Sequence, residues 1–121
     1  MAIEIDKRSM KMSLIIGDTG TFAFNLTSEE GDFKLTEGDT IVFTVKKTKD
    51  SEPILQKTIT QFEDGYCVVP ILPSDTSNLE KATYIYDLKL IREDGNVDTL
   101  LPNNKESAPF ILKRGVKDAN N

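Results

Sequence analysis

Histidine and tryptophan are absent from these 121 residues, and cysteine occurs once, at Cys67. With no second cysteine there is no intrachain disulfide, so packing alone must hold the fold, which suits a reducing compartment. A lone thiol without an imidazole has no partner to activate it, and Tyr66, Val68 and Val69 around it make Cys67 read as a small buried hydrophobe of a strand. The same shortage withholds the usual zinc ligand sets, and no cofactor or metal is expected. Long apolar runs are missing as well. Nowhere do eighteen apolar residues follow one another, and the opening Met1-Ala2-Ile3-Glu4-Ile5-Asp6-Lys7-Arg8 has no signal-peptide core. The expectation is a chain made in the cytoplasm and not secreted, without membrane contact. The glycosylation sequon Asn25-Leu26-Thr27 then has no meaning.

Basic residues are also in deficit: 15 Lys and Arg stand against 20 Asp and Glu, a formal net charge of -5. Nonspecific nucleic-acid binding needs clustered cations that release counterions, so no nucleic-acid partner is expected. The densest basic run, Lys46, Lys47 and Lys49, reads as the solvated end of a strand. A 38% hydrophobic content suits a single core, and the length suits one domain spanning 1–121, with 1–8 and 115–121 expected to be flexible.

What the chain has in abundance is period-two alternation. In residues 82–90, Tyr84, Tyr86, Leu88 and Leu90 fall on one face and Thr83, Asp87 and Lys89 on the other; Glu93-Asp94-Gly95-Asn96 turns the chain, and residues 97–101 return. This is a β-hairpin. Met10, Met12, Leu14 and Ile16 alternate in the same way, Gly17-Asp18-Thr19-Gly20 supplies a turn, and Phe22, Phe24 and Leu26 resume. Residues 28–32 read as a polar loop. Ile41, Phe43 and Val45 should point inward from the next strand, and in a weaker strand over residues 54–61 only Leu55 and Ile59 share a face. Residues 66–72 make a short strand whose Pro70, lacking an amide proton, belongs at an edge or a bulge. One helical turn fits after Ser74 or Asp75, and a last strand over 108–113 turns Phe110 and Leu112 inward.

Seven or eight short strands without a helical period match an all-β sandwich or a small barrel, and of these the expectation is an immunoglobulin-like antiparallel β-sandwich. Tyr84, five residues after Leu79 at the entry to the strongest strand, resembles a tyrosine corner, in which a phenol ties the strand start to upstream backbone. The lack of Trp and of paired Cys excludes an antibody-type domain. The core should hold Phe22, Phe24, Phe43, Tyr86, Leu88 and Phe110.

Chemistry is harder to find. Asp18, Asp39, Asp64 and Asp94 each sit beside a glycine, where aspartate bonds local backbone and stabilises turns, so no catalytic acid is assigned. Asp94, Asn96 and Asp98 have the oxygen spacing that opens a calcium loop, but Thr99 stands where the loop needs glycine and Lys105 where it needs a bidentate carboxylate. Gly17-Asp18-Thr19-Gly20 joins two strands without a lysine or a following helix and cannot cradle phosphate. No enzyme is expected. The positions of interest are Ile15, Val42, Ile85 and Ile91, apolar residues that the alternation turns away from the core; a contiguous patch of them would mark a partner surface, whereas the favoured reading is that loops, cross-strand neighbours or a strand buried on both faces cover them.

Residues 16–26, Leu35 with residues 38–46, and residues 82–88 with Asp94-Gly95 and Thr99-Leu100 resemble the N-terminal domain of phage baseplate upper proteins and related small prophage structural proteins. The resemblance runs from about Met10 to Leu112, in strand and turn texture without a catalytic signature. It implies an immunoglobulin-like sandwich that docks a receptor-binding or side-fibre component onto a tail tip, located in the virion, with other phage structural proteins or further copies as partners. Baseplate upper proteins continue into a long further region, whereas this sequence ends soon after its last strand, which leaves room for a free-standing adaptor or a head decoration. The alternative is a carbohydrate-binding sandwich module, disfavoured because sugar platforms use exposed aromatics and most Phe and Tyr here point inward. Tyr66 alone has an ambiguous facing.

Overall fold

The computed structural model describes residues 4–6, 11–25, 27–28, 31–32, 37–60, 66–101 and 108–114. Among them are eleven strands and one helical turn: β1 (Glu4–Asp6), β2 (Lys11–Ile15), β3 (Gly20–Asn25), β4 (Thr27–Ser28), β5 (Gly31–Asp32), β6 (Thr40–Lys46), β7 (Pro53–Ile59), β8 (Tyr66–Ile71), α1 (Pro73–Thr76), β9 (Ala82–Ile91), β10 (Val97–Leu101) and β11 (Ala108–Lys113). One large sheet has the order β1-β2-β11-β9-β6-β7, with β10 also on β9; β3 pairs with β8 in a second sheet, and β4 with β5 in a small hairpin.

The two larger sheets form a sandwich because each has one apolar face. The large sheet contributes Met12 and Leu14, Phe110 and Leu112, Tyr84, Tyr86, Leu88 and Leu90, Ile41, Phe43 and Val45, and Leu55; the small sheet contributes Phe22, Cys67, Val69 and Ile71. All are buried. Phe22 crosses the gap, its ring centroid 5.2 Å from Phe43 and 5.6 Å from Phe110 in edge-on contacts, the geometry that the aromatic quadrupole favours. Phe24 was expected in this core, but its side chain lies outside the described residues, as does that of Tyr66.

Three expectations need correction. The sandwich is not wholly antiparallel: β11 runs parallel to β2, with Phe110 opposite Met12 and Lys113 opposite Ile15. Alternation assigns a strand's faces and says nothing of its neighbour's direction, and these two strands lie at opposite ends of the chain, where no hairpin links them. The strand number exceeds seven or eight, because β1, β4 and β5 are only two or three residues long, too short for a periodic signal. Thus the expected loop 28–32 contains parts of a hairpin, Thr27 opposite Asp32 and Ser28 opposite Gly31, while residues 4–6 of the N-terminal stretch form β1, paired with β2. Residues 115–121 lie outside the described residues.

The β9–β10 hairpin forms as read. Its turn closes through Arg92 N donating to Asn96 O at 2.8 Å and Gly95 N to Arg92 O at 2.9 Å, with Gly95 at φ 94°, a conformation open to glycine at little steric cost. Strand β9 is longer than its hairpin partner needs. Residues 88–91 pair with β10 and residues 82–86 with β11, so two strands share one edge of β9 while β6 takes the other. Pro70 lies on an edge strand, as its missing amide requires: β3 is the one neighbour of β8 among the described residues.

The helical turn begins earlier than expected. Pro73 occupies its first position, where a proline forfeits no helical hydrogen bond, and Asp75 Oδ2 accepts from Leu72 N at 2.7 Å and pairs with Lys57 Nζ at 2.8 Å. Buried Thr76 accepts from Gly17 N through Oγ1 at 2.9 Å, fastening the β2–β3 turn to α1. Tyr84 Oη donates to Glu80 O at 2.7 Å, so the phenol does anchor the entry to β9, on the residue after Leu79. Tyr84→Phe leaves the ring packed and deprives a carbonyl of its donor. It is expected to lower stability by about 1–2 kcal/mol, checked by urea unfolding with an unchanged slope.

Candidate functional site

The outer face of the large sheet follows from the register. Ile85 of β9 lies between Pro109 of β11 and Lys46 of β6; Val42 of β6 lies between Lys89 of β9 and Thr58 of β7; Ile91 lies between Thr40 and Val97; Ile15 lies opposite Lys113. All four predicted contact residues point away from the sandwich interior and are half-buried. They do not merge into one apolar patch. Asp87 and Lys89 separate Ile85 from Ile91 along β9, and Ile15 stands apart on β2.

Asp87 is the residue that sequence reasoning passed over. It sits opposite Thr44 on the outer face of the strand at the centre of the sheet, and its Oδ1 is buried with no hydrogen-bond partner. Thr44 beside it is buried, and its hydroxyl accepts from Gln56 Nε2 at 3.1 Å. Burial pushes the Asp87 carboxyl above its ordinary range, against the opposing pull of Lys89 and then Lys46. In sequence it is one of twenty acids. Only cross-strand crowding removes its water.

That shift has a sign. When a carboxyl titrates higher in the folded chain than in the unfolded one, the folded state holds more protons across the interval, and stability falls as pH rises through it. Below the unfolded value both states are protonated and the penalty is gone. Asp87→Asn is therefore expected to raise the melting temperature at pH 7 in dilute solution, and to lose that advantage in acid. A gain of equal size at both pH values would contradict the ionisation argument.

The turn acids divide. Asp94 takes its backbone role, Oδ1 accepting from Asn96 N at 2.9 Å. Asp39 differs: it is buried, with Oδ2 accepting from Arg92 Nη1 at 3.2 Å and Oδ1 from Glu93 N at 3.0 Å. It joins the start of β6 to the end of β9 and is a structural clamp. Asp18 caps no chemistry in the β2–β3 turn, where its amide donates to Ile15 O at 3.1 Å. Asp64 lies outside the described residues. Cys67 is buried, and desolvation pushes its thiol up to about 11, leaving little thiolate at neutral pH. Burial likewise raises Tyr86. Among the described residues no three His, Cys, Asp or Glu side chains converge as a metal site, and no helix is long and apolar enough to cross a membrane.

No family model, curated protein or solved structure matches this chain.

Proposed function

We propose that this chain is a non-enzymatic structural or adaptor module of a phage or prophage particle, an immunoglobulin-like sandwich that binds protein through the outer face of its large sheet. The observation that carries this reading is the division of residue types across that sheet. Every aromatic with a described side chain, Phe22, Phe43, Tyr84, Tyr86 and Phe110, is buried, while half-buried isoleucine, valine, lysine and aspartate occupy the outer face. Mixed aliphatic and charged surface suits a protein interface and offers no stacking platform to a sugar.

Two features favour the immunoglobulin-like form. The order β11-β9-β6-β7 against the pair β3-β8 corresponds to the G-F-C-C′ and B-E strands of a variable-type sandwich, and Tyr84 bonds upstream backbone at the entry to the strand in the F position. The particle assignment draws on the resemblance to baseplate upper proteins. Co-expression with the products of neighbouring genes tests it: a stable complex with a tail or capsid protein, weakened by Ile85→Glu, is expected. Retention on polysaccharide without any protein complex would replace it with the carbohydrate-binding reading.

A further inference from the structure

Along β9 the outward residues Ile85, Asp87, Lys89 and Ile91 form a pattern centred on Leu88, which points into the core. Asp87 and Lys89 are equidistant from that centre in sequence, as are Ile85 and Ile91. A two-fold axis crossing the strand at Leu88, in the plane of contact between two such faces, therefore sets Asp87 of each copy against Lys89 of the other, and Ile85 against Ile91. The neighbouring strand agrees. Because Thr44 lies opposite Asp87 and Val42 opposite Lys89, the same axis sets Val42 of one copy against Thr44 of the other.

We propose that this face pairs with the same face of a second copy, giving a two-fold dimer. Two observations support a copy of this chain as the occupant. The face is self-complementary in charge, which an isologous contact requires, since each residue must suit its symmetry mate's partner. Its apolar residues meet apolar or small polar ones under the same operation. Sheets stacked face to face lie about 10 Å apart with strands about 30° from alignment, so the register holds best near the axis, where the Asp–Lys pairs sit.

The proposal deepens the docking role above by naming an occupant, and rests on that reading only in using the same face. Sedimentation equilibrium of the full chain at about 100 µM, above the dissociation constant of a micromolar dimer, should give twice the chain mass. Asp87→Lys and Lys89→Asp alone each place like charges across the axis and should give monomers, with circular dichroism and melting showing that both fold. An equimolar mixture of the two variants, or both substitutions in one chain, restores opposite charges at every pair and should restore the dimer. A parent chain that stays monomeric, single variants that dimerise as well as the parent, or a mixture that fails to associate overturns the pairing. A monomer that still binds a neighbouring-gene product through Ile85 would overturn the dimer and leave the docking role standing.

Discussion

Phe22→Ala should lower the unfolding free energy by about 3–5 kcal/mol, the usual cost of deleting a fully buried aromatic whose surroundings cannot close the gap. The site gives it little chance of closing. Phe22 comes from the two-stranded sheet and reaches the opposite layer, touching Phe43 of β6 and Phe110 of β11, which themselves lie 6.1 Å apart. Its removal takes one ring out of a three-ring contact that joins both sheets, and the remaining two are fixed by β-strand backbone. Stability of a domain this size is about 5–15 kcal/mol in total, so the variant should sit near its folding limit. Phe22→Leu should recover roughly half of the loss by refilling volume. Urea denaturation checks both, and a loss under about 1 kcal/mol for the alanine variant would mean that the two layers do not meet at this ring.

Asp39→Ala should cost about 2–4 kcal/mol, because removing a buried carboxylate strands its partners as well as losing its own bonds. The Asp39 side chain is 3% exposed and Arg92 38%, so the guanidinium recovers some hydration after the loss, and the Glu93 amide forfeits its acceptor. Both partners lie just beyond β9, and Thr40, next to Asp39, pairs with Ile91, so the clamp closes one end of the central strand pair. Gly38 permits the close approach: at φ 92° it takes a backbone form that side chains rarely adopt, and a Cβ there would meet Glu93 Cγ at 2.8 Å. Arg92→Ala should cost less than Asp39→Ala, since it removes one partner of the carboxylate and leaves the bond from the Glu93 amide in place. The double variant should lose less than the two single losses added together, and strict additivity would show that the two side chains are not coupled.

Side-chain facing was open to reading without coordinates. Tyr84, Tyr86, Leu88, Leu90, Ile41, Phe43, Val45, Phe110 and Leu112 are buried as their alternation requires, because a strand offers each residue only two directions and one faced the core. The turn at Gly95 and the tie from Tyr84 were open for a similar reason: each depends on residues close in sequence. Asp39 shows the limit. Beside Gly38 it looks like any turn aspartate, and its partners Arg92 and Glu93 lie more than fifty residues away. No local rule could pair them. The four outward aliphatics were located on the correct face, while Asp87 among them was missed, since desolvation arises from Thr44 and other cross-strand neighbours rather than from adjacent residues in the chain.

The amino-acid order by itself determined an all-β chain and which side of most long strands is apolar, because those properties repeat every two residues and need no distant partner. Tertiary structure alone decided that β2 and β11 run parallel, that β9 divides one edge between two strands, and that an aspartate lies desolvated among lysines and isoleucines on the outer face. These depend on which remote segments become neighbours, and that choice is made by the total burial of two faces against each other, a quantity that no short stretch of sequence contains.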